Sequence, residues 1–189
     1  MLAKGHHFPN VTLVAIVDAD SGLFSVDFRA SEQMGQLLMQ AAGRAGRADK
    51  PGTVAIQTRH PTHPLLQTLL QQGYQTFAQT LLTEREVALL PPFSWFAVFR
   101  AEAYLEKNVQ VFLNTVKTLL PADNTLDILG PVSAQMAKRK GLHCQYLLVK
   151  THHRGVLQKT LRHILTQCET LARKHAVKWI LDIDPLDVM

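Results

Sequence analysis

Cysteine is scarce. The chain has two, Cys144 and Cys168, far apart and in no CxxC spacing, which argues against a disulfide scaffold and for a reducing, cytoplasmic setting. No uncharged apolar run approaches the roughly 20 residues that a membrane-spanning helix requires. The opening stretch, MLAKGHHFPN, holds no uninterrupted apolar segment of the kind a signal peptide carries. The phosphate-gripping pattern G-x-x-x-x-G-K-[ST] is missing, as is any Asp-Glu dipeptide for a Walker B pair. Between residues 128 and 168 there is no Asp or Glu, so that tract carries charge of one sign only. Internal repeats and low-complexity tracts are lacking too.

What is present is a chain of 189 residues, 47% hydrophobic and 19% charged, enough for one large or two small domains with real cores. A formal net charge of +5 and a pI near 9.4 favour an anionic partner.

Residues 11–20, VTLVAIVDAD, form a nearly continuous, β-branched apolar run ending in acids, which reads as a buried, parallel-type strand. A helix is expected over about 30–43, with Ser31 as N-cap and Met34, Leu37, Leu38 and Ala41 on one face. After a Lys50-Pro51-Gly52 turn, TVAIQT (53–58) reads as a second strand, completing a βαβ unit with a parallel sheet. Residues 65–90 read as mostly helical, broken near Gly73 and stopped by LPPF. The rhythm then changes. Strands are expected at 95–104, 126–129, 145–150 and 177–183, with amphipathic helices through Val109–Leu120 and Leu157–Ala172 and a long basic loop between the middle strands. The order β-α-β-β-α-β is the split βαβ, or ferredoxin-like, pattern.

The helix of the first half ends in QAAGRAGR, residues 40–47. Two arginines three apart repel one another, so a shared anion is their natural partner. Gly43 and Gly46 permit unusual backbone angles while the guanidiniums of Arg44 and Arg47 project into one small volume. Guanidinium forks match phosphate oxygens. Supplied across a cleft, such an arginine stabilises the charge that develops in phosphoryl transfer, worth roughly 10³–10⁵ in rate. Taken alone, the motif reads more readily as a helix C-terminus decorated by solvated cations that complement its dipole.

The surroundings favour the first reading. Lys4-Gly5, His6-His7-Phe8-Pro9, the apolar strand, QAAGRAGR and TVAIQT resemble, in order, the second half of a superfamily-2 helicase motor. There, a Gly-x-x-x-Pro segment before a buried strand is motif V and Q-x-x-G-R-x-G-R is motif VI. Over essentially its whole length the chain resembles the primosomal protein N′ (PriA) family of replication-restart helicases. AKGHHFPNVTLV, DFRASEQ, AAGRAGRADKPG, IQTRHPTHPLLQTL, LPPF, LGPVSAQ and VKWILDIDP occur in the family's order.

The resemblance implies an α/β and α+β chain: the C-terminal part of a RecA-like helicase lobe (1–62), a helical connector (63–92) and a ferredoxin-like domain similar to a small ribosomal protein (93–189). It implies that Arg47, as arginine finger, and Arg44 approach the γ-phosphate of ATP. Gln40, with Gly43, Gly46 and Gly5, belongs to the nucleotide site, while Lys4 and Gly5 link nucleotide state to DNA. ATP with Mg²⁺, and zinc held by paired cysteines, would act in the full-length enzyme, with the zinc outside this chain and none of these bound by it alone. On this reading the chain is a C-terminal piece that begins inside motif V.

In the acid-free tract, Lys138, Arg139, Lys140, Lys150 and Arg154 are the candidate DNA contacts, expected to gather at one end or edge of the sheet. The family usually has further arginines after the Lys-Gly pair. Here Leu142-His143-Cys144-Gln145 follow, which weakens the site in this strand. Arg154 and Gln158, one helical turn apart, match family positions that receive the acidic tail of single-stranded-DNA-binding protein. The histidines at 6, 7, 60 and 63 read as turn residues, not metal ligands, and Cys144 and Cys168 as apolar fillers. Trp95 and Trp179 read as sheet residues and Asp182, Asp184 and Asp187 as solvated acids.

The expected partners are single-stranded and forked DNA, the acidic protein tail and other primosome proteins, with no membrane and a bacterial cytoplasmic, nucleoid-associated location. The rival is a free-standing nucleic-acid or ribosome-associated binding module whose GRAGR merely holds a phosphate.

Overall fold

A short apolar run extends as strand β1, Leu13–Ile16, and the computed structural model pairs it in parallel with β2, Thr53–Ile56, from Leu13↔Thr53 to Ile16↔Ile56. The structure describes residues 11–43, 45, 52–123 and 125–186. These fall into two compact units, Met1–Val87 and Ala88–Met189.

In the first unit, α1 (Asp20–Leu23) and α2 (Ala30–Ala42) lie between the strands, and α3 (Pro64–Val87) follows β2. Pro64 suits a first helical turn because its missing N–H has no partner to lose there. Gly73, at φ +83° and ψ 176°, breaks α3 as the sequence anticipates; a side chain at that φ would strain the backbone. Met34 and Leu38 of α2 meet Leu65, Leu66, Leu69, Phe77 and Leu81 of α3 and Ala19 in one core, with Ile16 and Ile56 against it. Gly35 sits under the Phe77 ring so closely that a Cβ there would collide with it. Leu37, expected on the buried face, is 46% exposed.

Two further expectations are corrected. Ser31 is not the N-cap; Arg29 holds that position without a side-chain cap, and the Ser31 hydroxyl donates instead to the Gly22 carbonyl at 3.1 Å. Nor is β1 a fully buried strand. Leu13 is 59% and Val17 73% exposed, so only alternate residues turn to the core.

The second unit contains β3 (Trp95–Ala103), α4 (Glu106–Leu119), β4 (Asp127–Arg139), β5 (Leu142–Thr151), α5 (Arg154–Lys174) and β6 (Lys178–Ile183). Its four strands lie in the order β4-β5-β3-β6, every neighbouring pair antiparallel. That is the spatial order the split βαβ pattern requires, with the two helices on one face. Ala97, Phe99, Ala101 and Ala103 of β3, with Leu147 and Val149 of β5, pack on Val109, Phe112, Leu113 and Val116 of α4 and Leu157, Leu161, Ile164 and Cys168 of α5. Most of these are fully buried, and each large aliphatic or aromatic side chain so placed stabilises by about 1.5–3 kcal/mol. Trp179 completes the core, its ring stacked 6.0 Å from Phe99.

The expected long basic loop does not exist. β4 runs to Arg139 and turns back at once through Lys140 (φ +50°) and Gly141 (φ +85°), with Arg139 paired to Leu142. Positive φ at both central residues gives a two-residue hairpin turn that follows the strand twist, and Gly141 adopts it without a Cβ penalty.

Candidate nucleotide and nucleic-acid interfaces

Two places in the chain carry candidate chemistry. The first is the end of α2. Gln40 is exposed on its last turn. Gly43 caps the helix with φ −66° and ψ −4°, an ordinary right-handed conformation, so the unusual angles expected of it are not there. Its N–H donates to the Met39 carbonyl at 3.0 Å, and the Ala45 N–H donates to Ala41 and Ala42. Helical hydrogen bonding thus persists into the motif. Lys4, Gly5, Arg44, Gly46 and Arg47 lie outside the described residues.

At the other end of the parallel pair, Asp20 ties the strand exits together. Its carboxylate accepts the Thr58 hydroxyl at 2.5 Å and the Arg59 N–H at 2.9 Å. The Thr58 hydrogen bond first, and the Arg59 N–H second, hold this carboxyl below the usual range. Nearby, Phe24 is flanked edge-on by His60 at 4.7 Å and His63 at 5.5 Å. Among the described residues no group of three His, Cys, Asp or Glu is placed to hold a metal ion.

The second place is the surface of the second unit, and here the expected single cluster divides. Lys138, Arg139 and Lys140 form the tip of the β4–β5 hairpin, with Lys138 opposite His143. Lys150 lies opposite Phe96 and Asp127, seven residues along β5 from His143, or about 24 Å at the rise of a strand. Arg154 opens α5 just beyond Lys150. The candidate cations therefore occupy opposite ends of the sheet, because β5 itself separates them.

The hairpin end has cations that the sequence reading passed over. α5 returns toward it, and the carbonyl of His175, just past its last turn, accepts from Asn108 Nδ2 of α4 at 2.9 Å. Arg173 and Lys174 in that last turn and Lys178 at the start of β6 are exposed. Glu102 bonds Lys178 at 3.4 Å, and Glu106 lies 3.9 Å from His143. These three cations lie beyond the acid-free tract. Strand pairing, unavailable from one chain of letters, is what brings them to the same end of the sheet as Lys138 and Lys140, although β6 and β4 are opposite edges of that sheet.

At the far end, Arg154 is engaged: its Nη2 donates to Asp184 Oδ2 at 3.3 Å. Gln158 follows one turn later, partly buried. Asp184 is thus an ion-pair partner, whereas Asp187 lies outside the described residues. Cys168 is buried in the helix-covered core, where desolvation raises its thiol to about 11. No described helix is long and apolar enough to cross a membrane.

Comparison with known proteins adds the following. The family model for the primosomal protein N C-terminal domain matches residues 86–186. Replication restart protein PriA of Haemophilus influenzae is 47% identical over 190 aligned positions, which take in 100% of this chain and 26% of that protein. The proteins of the same name from Treponema pallidum and Bacillus subtilis are each 34% identical over 191 positions, again across 100% of this chain and over 29% and 24% of their own lengths. The chain spans about a quarter of the length of these curated relatives. Among solved structures, the de novo designed protein Foldit4 covers 50% of the chain at 12% identity and a TM-score of 0.35, too distant to carry an argument.

Proposed function

The chain belongs to the primosomal protein N C-terminal domain family, that of replication restart protein PriA, and from that premise we propose that it is the C-terminal portion of an ATP-dependent, 3′-to-5′ DNA helicase that recognises stalled forks and restarts replication. The carrying observation is the match across the full 189 residues, the QAAGRAGR helix end included. The first unit is the end of a RecA-like motor lobe. Its parallel β1–β2 pair, joined through α2, supports this reading, and so does the apolar surface that the pair leaves exposed.

In the whole enzyme, ATP with Mg²⁺ supplies the free energy of translocation. Arg47, with Arg44, neutralises charge developing on the transferred phosphoryl group, and Gln40 senses the nucleotide from the last turn of α2. Gly5 and Lys4 couple that site to the DNA strand. Zinc is held by paired cysteines elsewhere in the full-length protein. The second unit contacts DNA phosphates, and Arg154 with Gln158 takes the acidic end of single-stranded-DNA-binding protein. The partners are single-stranded and forked DNA and other primosome proteins, in the bacterial cytoplasm.

Alanine at Arg47 in the full-length protein is expected to lower ATP hydrolysis by about 10³-fold or more, with DNA binding retained. Unchanged hydrolysis and unwinding after replacing Arg44 and Arg47 together would overturn the assignment. The 189-residue chain alone is expected to bind DNA in a salt-dependent manner and to turn over no ATP; measurable turnover contradicts the proposal.

A further inference from the structure

The contact between Arg154 and Asp184 changes how the start of α5 is read. Asp184 leaves β6 at φ +54°, a left-handed conformation that Asp and Asn adopt more readily than other side-chain-bearing residues. Its N–H donates to the Phe96 carbonyl at 2.9 Å, one step beyond the Ala97↔Ile183 pair, and Pro185 after it is buried. The backbone therefore fixes where this carboxylate stands, and it stands on Arg154. The two side chains are 58% and 44% exposed and make one contact at 3.3 Å. An ion pair of that kind is weak and exchanges readily with other anions.

The surroundings match a particular anion. Ile183 and Leu186, on either side of Asp184, are 45% and 77% exposed. Gln158 offers an amide one turn along α5 from Arg154. A guanidinium that already accepts a carboxylate, beside exposed apolar surface, suits the free end of an acidic peptide with an aromatic terminal residue.

We propose that Asp184 is an internal competitor: its carboxylate occupies Arg154 and is displaced when the terminal carboxylate of such a peptide docks. This rests on the reading of Arg154 and Gln158 as a peptide-binding pair. An occupied guanidinium lowers apparent affinity by the fraction that is open, and an exposed pair of ordinary strength leaves roughly one sixth to two fifths of molecules open. Removing the competitor is therefore worth about a two- to sixfold gain in affinity.

The test uses the 189-residue chain and a labelled synthetic acidic peptide ending in phenylalanine, with a free α-carboxylate or as its C-terminal amide. Dissociation constants are measured by fluorescence anisotropy for wild type, D184N, R154A and R154A/D184N. Asn keeps the left-handed turn, so D184N preserves the fold. D184N is expected to bind the free-acid peptide about two- to sixfold tighter, the amide to gain less, and R154A/D184N to match R154A. If R154A weakens binding but D184N does not strengthen it, the competitor is refuted and the docking pair stands. An equal gain for acid and amide refutes it as well, since that is a general charge effect. If R154A binds like wild type, the docking pair itself is wrong, and the competitor falls with it.

Discussion

Replacing Lys138 and Lys140 with alanine separates two accounts of how the second unit meets DNA. Both lysines are exposed at a hairpin tip, so the substitutions are expected to change stability by no more than about 0.5 kcal/mol each. If each neutralises one phosphate, the slope of log K against log[salt] becomes shallower by about 1.8 on duplex DNA, or about 1.4 on a single strand. Between 50 and 200 mM salt, the gap between wild type and variant on duplex then narrows by about 12-fold. The structure adds a length dependence. Lys150 lies about 24 Å from the tip, which at 3.4 Å per base pair is about seven base pairs. On a 20-base-pair duplex the tip substitutions and Lys150→Ala should add in free energy, because separated sites behave independently. On a six-base-pair duplex, which cannot reach both ends, either change should cost less than it does on the long one. Anisotropy titrations over a salt series on both lengths read all of this. An unchanged slope for K138A/K140A would refute tip contact, and equal costs on both lengths would refute the two-ended arrangement.

Gly35→Ala places a methyl group into the Phe77 ring, and overpacking of this kind is expected to cost about 1–3 kcal/mol, read as a lower urea midpoint; an unchanged midpoint would mean α2 and α3 do not pack this closely. Arg85 donates to Glu32 at 2.7 Å and to the Phe28 carbonyl at 3.3 Å, with Phe28's ring 5.1 Å from its guanidinium. Arg85→Met should destabilise by about 2–3 kcal/mol, and a double-mutant cycle with Glu32→Gln should show coupling of at least 0.5 kcal/mol. Cys168 is raised to about 11 from an ordinary 9.0, so above pH 9 its thiol ionises in the unfolded chain before the folded one. Stability should therefore fall by about 1 kcal/mol from pH 8 to pH 10, a loss absent from Cys168→Ala, and native-state alkylation should spare this thiol.

Most of the second unit was legible from periodicity. Val109, Phe112, Leu113, Val116 and Leu120 are all buried where the helical spacing puts them, and Leu157, Leu161, Ile164, Cys168 and Ala172 likewise. β4 was not, and for a local reason. Gly130-Pro131 sits in its first half, and both residues ordinarily end a strand. β4 tolerates them because it is an edge strand, with register shifts between Leu129 and Val132 and between Ser133 and Lys138. Seen as letters, the interruption turned the second half of a strand into a loop. That error placed Lys138 to Lys140 near Arg154, when ten residues of β5 lie between. The Arg154–Asp184 pair was hidden for another reason: thirty positions separate its members, and only the β3–β6 ladder brings them together. Of the nucleotide motif, Gln40 and Gly43 fall where a helix end was expected, while Arg44 and Arg47 lie outside the described residues.

The two sheets use apolar residues differently, and the difference bears on function. In β3, Phe96 and Val98 are buried as well as Ala97 and Phe99, and Ala97 and Phe99 belong to the core formed with α4 and α5. In and just after β1 the sequence is just as apolar, yet Leu13 and Val17, the residue after the strand, remain mostly exposed while Ile16 turns to the core. Parallel strands are ordinarily covered on both sides. Burying a Leu or Val side chain is worth about 1.5–3 kcal/mol, so a further layer on this face would gain several kcal/mol from Leu13 and Val17 alone. A strand composed for two-sided burial but covered on one side has the character of a part of a larger sheet. That supports the proposed assignment of the first unit to a motor lobe.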